Sequence, residues 1–423
     1  MARDPDALHR DAGRAFARRR FMDAQGARPA TARRRVKGQF LGNLSHMRLL
    51  FIWLLLSAGS AHAVEIATGK MLGPGYDPRS FYLREGNSPW RRTYTGNHYR
   101  AEAAGKLMNL RIAQALFKDE YLTEVHFDPM ANTRRVIQAL DTYQRDGILA
   151  VNVSLQGGHM HYEHEGSIKR DVAAKAGPGK GSLVSALRPD GSLKAEWMDR
   201  LLMLQQALDK RGMVLNLIYF YVFQVGILQS PKDIDQAVRN ITDWLIDHNC
   251  RNVMIEVANE YDTFDNDPYI INAMGHLIEI ARERFKVKKA AFRLPISASA
   301  LRDENMQLYP SVMEHGDLFT IHGNGRSPER KREWVAELVA DPKVPGPVYM
   351  DEDDNGREQT TPEALAHDLA SCDGVFQSGG SWGYMPWLQT QVFPFRIFDP
   401  VGDDRDSRYF RDVLEHVRKL VIE

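Results

Sequence analysis

The sequence predicts a single (β/α)8 TIM barrel, an α/β fold, and three observations carry that expectation. From about residue 106 onward, short β-rich apolar runs alternate with amphipathic stretches of helical length, which is the signature of parallel strands joined by helices. Eight such runs occur in order. Composition stays even along this part, with no linker and no internal repeat, so one barrel fits better than two doubly wound domains.

The first strand is placed at Leu107–Ile112, followed by Ile148–Leu155, Met213–Tyr221, Val253–Val257, Phe292–Ile296, Leu318–Ile321, Val348–Met350 and Trp382–Trp387. Helices are expected between them at Asn132–Arg145, Lys194–Lys210, Lys232–Asp247, Asn272–Arg284, Glu329–Val339 and Pro362–Ala370, with a closing helix at Ser407–Val421. In the earliest of these, Val136, Ile137 and Leu140 share one face at helical spacing. Residues 106–423 form the barrel in this reading, and 64–105 lead into it.

The chain has 423 residues, 43% hydrophobic and 26% charged, so it can bury a sizeable core. Lys+Arg and Asp+Glu are both 55, which removes any whole-chain argument for a nucleic-acid partner. Up to Ala63 there are 12 basic and 4 acidic residues, leaving 43 against 51 in the remainder. Residues 1–46 are Arg-rich and aperiodic, and read as a disordered or mis-called extension. Met47-Arg48, the apolar run Leu49–Leu56 and the ending Ala61-His62-Ala63 make 47–63 a secretory signal peptide cut after Ala63. The run is too short to span a bilayer, which takes about 20 apolar residues, so a secreted or periplasmic protein without a membrane span is expected. No pattern specifies an oligomeric state.

In a barrel of this kind the active site lies where the strands end. The fourth strand runs into Glu256-Val257-Ala258-Asn259-Glu260, and the seventh into Asp351-Glu352-Asp353-Asp354. Two carboxyl groups flanking one bond are what glycoside hydrolysis needs, one protonated to assist the leaving oxygen and one ionised. Asn-Glu ending strand four and a Glu ending strand seven resemble the clan A retaining glycoside hydrolases, the cellulase-like barrels, over essentially the whole barrel. That resemblance implies Glu260 as general acid/base, Glu352 as nucleophile, Asn259 as donor to the sugar 2-hydroxyl, and a carbohydrate substrate with no cofactor and no bound metal.

Other strand ends enter through the same resemblance. Trp382 is expected as a sugar platform with a free indole N–H, and Tyr384 and Trp387 lie near it. His322 ends strand six, where Asn324 stands two residues on in place of the family's Tyr. Arg111, on the first strand, is expected to orient Glu352. Strand alternation places Glu256 inside the barrel in a structural role and turns Asp351 and Asp353 away from the axis.

Two further readings stay open. The loop after strand two carries His159, His161 and His164, with His159 or His161 a candidate sugar contact. His-x-His in a barrel resembles the amidohydrolases, so a metal-dependent hydrolase using His159, His161 and His322 is an alternative, although strand five offers no histidine and strand eight no suitable Asp. A catalytically inactive carbohydrate-binding barrel is another alternative. The acids Asp351 to Asp354 also suggest a calcium site. Cys250 and Cys372 fall at equivalent positions half a barrel apart, too distant for a disulfide.

Overall fold

The computed structural model describes residues 64–122, 126–157, 161–162, 182–264, 267–300, 310–355, 360–395 and 402–422. The extension 1–46, the signal segment 47–63 and His159 lie outside them. Strands β1 (Val64–Thr68), β2 (Phe81–Glu85) and β3 (Arg91–Arg92) form an antiparallel sheet. Then follow β4 (Asn109–Arg111), β5 (Ala150–Ser154), the short outlying β6 (His161–Tyr162), β7 (Val214–Tyr221), β8 (Val253–Asn259), β9 (Ile296–Ser297) and β10 (Ser299–Ala300). The last are β11 (Phe319–His322), β12 (Val348–Glu352), β13 (Gly383–Tyr384) and β14 (Val392–Phe393), which pairs with β6.

Two parallel runs close into one barrel. β13, β4, β5, β7, β8 and β9 are neighbours in that order, and β10, β11 and β12 form the second run. β9 and β10 are two halves of the fifth strand, interrupted at Ala298, with one half pairing β8 and the other β11. At the other seam Tyr349 bridges Ser381, and Met350 N–H donates to the Ser381 carbonyl, 2.8 Å. The eight-stranded α/β barrel expected from the alternation is the observed fold.

The fifth strand begins later than expected because Pro295 has no N–H to give to the ladder and Arg293 turns aside to Asp317, 2.7 Å. The eighth is shorter: the helix Trp387–Thr390 begins right after Pro386, so Trp387 leaves the strand. Long helices start at Pro129, Pro231, Pro268, Pro328 and Pro362, each preceded by Asp, Ser or Thr. Proline at the first helical position loses nothing, since that N–H has no partner in the helix. Asp128, for example, accepts from the Met130 and Ala131 N–H groups at 2.9 and 3.0 Å. None of the described helices is long and apolar enough to cross a membrane.

The β1–β3 sheet lies across the face where the barrel strands begin. Ile66 N–H donates to the Arg251 carbonyl before β8, and Arg79 donates to the Val344 and Gly346 carbonyls before β12. That face is occupied by structure, so a site is left to the opposite end. Cys250 and Cys372 are both buried free thiols.

Candidate active site

Polar side chains fill the barrel axis from the first strand upward. Asn152 Nδ2 donates to Asn109 Oδ1, 2.6 Å, and the Tyr349 hydroxyl donates to Asn152 Oδ1, 2.6 Å. Above them Arg111, fully buried, divides its guanidinium among three partners. Nη1 meets Asp351 Oδ2 at 2.6 Å, Nη2 donates to Asn259 Oδ1 at 2.5 Å, and Nε faces Glu352 Oε2 at 2.7 Å. Burial acts to lower its pKa, and Glu352 and Asp351 more than reverse this, holding it above its ordinary value.

Glu352 is gripped at both oxygens, because Asn324 Nδ2 donates to Oε1 at 2.6 Å. Asn324 thus reaches the carboxylate from the position where a Tyr was expected. Tyr221, at the end of the third strand, puts its hydroxyl on Arg111 beside Glu352, and burial and then Glu352 raise its pKa.

Glu260 lies just past β8 in the left-handed region, φ 49° and ψ 50°, at a cost of about 1–2 kcal/mol for a residue with a Cβ. Its N–H donates to Ser299 Oγ, 3.0 Å, and its Oε1 lies 2.9 Å from His322 Nδ1. That local twist breaks strand alternation, so neighbouring Asn259 and Glu260 both face the mouth. His322 is fully buried, with Nε2 3.2 Å from Asp351 Oδ1 and Nδ1 3.8 Å from Glu352 Oε2. Burial would lower the His322 pKa, but Glu352 and Asp351 push it well above the ordinary value.

Asp351 departs from expectation. Alternation turned it away from the axis, yet it is fully buried among Arg111, His322 and Glu256. The register between β11 and β12 slips at this point, with Ile321 opposite Met350 and His322 opposite Glu352. Asp351 is therefore the extra residue of a β-bulge, and a bulge sends two successive side chains to one face. Burial raises its pKa, and His322 and Arg111 outweigh that and hold it low. Glu256 points inward as expected, accepting from Ser299 Oγ at 2.6 Å and Asn216 Nδ2 at 2.9 Å. Burial and the charge on Asp351 push its pKa up to about 8.

Trp382 and Tyr384 do not reach this site. A Cβ on Gly383 would come 2.0 Å from Asn109 Oδ1, so Gly383 faces the axis and its two neighbours face the helices. Trp382 is 1% exposed and its indole N–H is not free, because it donates to Asp353 Oδ2 at 2.7 Å. Tyr384 stacks on Trp382 and on Phe410 of the closing helix. The calcium arrangement fails for a related reason. Asp351 and Glu352 turn to Arg111, while Asp353 turns outward to buried Lys331, 2.8 Å. A hard cation needs oxygens that converge. His161 contributes its backbone to β6.

The sequence reading missed Asp351, Ser299 and Tyr221. Only the run of acids hinted at the first, and nothing in the sequence marked the others.

No family model matches the sequence, and no curated protein matches it. Among solved structures, an exo-β-1,4-mannosidase from Opitutaceae bacterium strain TAV5 is 14% identical over 77% of this chain, with a TM-score of 0.44. This chain spans 61% of that mannosidase. A GH5-4 broad specificity endoglucanase from Bacteroides salanitronis is 9% identical over 76% of this chain and 98% of its own, TM-score 0.46. A family 1 β-glucosidase from Thermotoga maritima is 10% identical over 70% of this chain and 89% of its own, TM-score 0.45. Likenesses this distant carry no argument about activity, which has to be read from the site.

Proposed function

We propose that the chain is an exported retaining glycoside hydrolase that cuts a polysaccharide or oligosaccharide through a two-carboxylate double displacement. One observation carries the reading: an oxygen of Glu260 and an oxygen of Glu352 lie within 4.8 Å of each other at the end of the barrel where the strands finish. Retaining pairs stand about 5–5.5 Å apart, whereas inverting pairs leave about 6.5–9.5 Å for a water.

In this reading Glu352 attacks the anomeric carbon while Glu260 protonates the leaving oxygen. Arg111 and Asn324 each hold one oxygen of Glu352, which fixes the direction of attack and leaves a lone pair on each oxygen. Asn259 is bound by Arg111 at Oδ1, and its buried Nδ2 has no hydrogen-bond partner, a donor suited to a sugar hydroxyl. Glu260 is only partly enclosed, its side chain 16% exposed, so a leaving group can reach it.

The N-terminal strand suits a cut after Ala63. The Val64 N–H lies 2.7 Å from Asp209 Oδ1, and burial raises the pKa of that carboxyl. A cut after Ala63 would turn this N–H into an α-ammonium and give Asp209 a counter-charge.

The test uses Glu352→Gly and Glu260→Ala with an aryl glycoside carrying a good leaving group. Azide should restore turnover of Glu352→Gly with an inverted glycosyl product. With Glu260→Ala it should give a product of retained configuration, because the ester on Glu352 still forms. Folded variants of which neither is rescued would exclude the mechanism, and exchanged rescue patterns would reverse the two roles.

A further inference from the structure

Between the two carboxylates of the site stands a third anion that touches neither. Asp351 Oδ2 meets Arg111 Nη1 at 2.6 Å, and Arg111 Nε meets Glu352 Oε2 at 2.7 Å. Asp351 Oδ1 lies 3.2 Å from His322 Nε2, and His322 Nδ1 lies 2.9 Å from Glu260 Oε1. The order Glu352, Arg111, Asp351, His322, Glu260 is continuous, and Asp351, Arg111 and His322 are fully buried. We propose that Asp351 is a positioning residue: its charge, paired with His322 at Nε2, keeps a proton on that nitrogen, so that Nδ1 and Glu260 Oε1 share the proton delivered to the leaving oxygen, and it holds Arg111 against Glu352.

This deepens the glycosidase reading and rests on it. An anion at Nε2 requires a proton on Nε2, which leaves one proton to be placed between Nδ1 and Glu260 Oε1. In the first step that proton passes to the glycosidic oxygen as its bond to the anomeric carbon breaks and Glu352 forms the ester. In the second, water bonds to the anomeric carbon, its proton goes to Glu260, and the ester electron pair returns to Glu352. The pair thus regains what it spent, with no outside reactant.

The groups facing His322 are Glu260 and Glu256 from the fourth strand, and Asp351 and Glu352 from the seventh. Arg111 of the first strand stands beyond Asp351, and Arg326 donates to the His322 carbonyl, 3.1 Å. Three of the four acids raise the affinity of the ring for its proton, and Glu256, its pKa pushed up to about 8, is mostly neutral at pH 7 and adds little charge. Taking the negative charge from residue 351 must therefore weaken proton retention by the His322–Glu260 pair.

The experiment compares wild type with Asp351→Asn. The alkaline limb of kcat/KM should move to lower pH by at least one unit in the variant. Its kcat at neutral pH should fall about 10- to 100-fold, with KM changing much less. Nitrogen-15 NMR of the His322 ring, assigned with His322→Gln, should show Nε2 protonated at pH 7.5 in wild type, and Nδ1 giving up its share of a proton at lower pH in Asp351→Asn than in wild type. An unmoved alkaline limb, or a His322 ring without a proton on Nε2 in wild type, overturns the proposal, and the wild-type spectrum decides even if the variant does not fold. Azide rescue of Glu352→Gly beside an unmoved Asp351→Asn limb removes the role of Asp351 alone. Without azide rescue the glycosidase reading falls, while the ring spectrum still tests the hold of Asp351 on His322.

Discussion

A carboxyl group enclosed among other charges titrates where they put it, and Glu256 is the clearest case in this barrel. Its pKa of about 8 lies above the unfolded value, so between roughly pH 4.5 and pH 8 the folded chain keeps a proton that the unfolded chain gives up. Stability falls as pH rises through that window. His322, also raised, adds to the loss in the same direction above its ordinary pKa. Glu256→Gln keeps the neutral shape and an oxygen to accept from Ser299, and its amide gives up the bond from Asn216 equally at every pH, which leaves the pH dependence as the readout. Thermal unfolding across pH 5 to 9 should show wild type losing several degrees relative to this variant; parallel curves would mean that Glu256 is ionised when folded. Glu260, four residues on from Glu256, was legible as a strand-end acid because the order of strands places it where a barrel presents its polar side chains. Asp351 was not, because a bulge is a property of two paired strands and leaves no mark in one of them.

At the scale of elements, the seventh strand is anchored from behind. Lys331, on the helix Pro328–Ala340, is fully buried with Nζ 2.8 Å from Asp353 Oδ1 and 3.0 Å from Ser371 Oγ of the next helix. Trp382 of the neighbouring strand gives its indole N–H to the other oxygen of Asp353. One residue after Glu352, the strand is therefore tied to two helices and its neighbour. Lys331→Met strands a buried carboxylate and should cost about 3–5 kcal/mol in urea unfolding. Adding Asp353→Asn should recover part of that cost, and strictly additive losses would show that the pair is not coupled. The helices were legible in order, since amphipathic spacing is a local signal, but not in full extent: the one at Pro362 runs on to Gln377, Pro268–Val287 outruns Asn272–Arg284 at both ends, and Pro310–His315 was not expected. Trp382 and Tyr384 were misplaced for the converse reason: which face of a two-residue strand looks inward is set by Gly383 packing against Asn109.

For the whole molecule, the β1–β3 sheet covers the end of the barrel where the strands begin, and the cluster of charged side chains lies at the other end. The same sheet bears on processing. N-terminal sequencing of protein recovered outside the cytoplasm should begin at Val64, and sequence from the Arg18–Arg20 cluster would contradict export by this route. Protein starting at Val64 should also unfold a few degrees higher than protein retaining residues before it, a difference on the order of 1 kcal/mol. Asp209→Asn should abolish that difference. What the sequence alone determined is the order of strands and helices, and with it the end of the barrel at which chemistry can occur, because hydrophobic periodicity and helix punctuation are written within a few neighbouring residues. What only the tertiary structure decided is which polar side chains meet there: Arg111, Asn259, His322, Asp351 and Glu352 come from four strands spread over 242 positions, and their contacts depend on register, on the bulge at Asp351 and on the left-handed turn at Glu260. Those are relations between distant segments, and they exist only when the barrel closes.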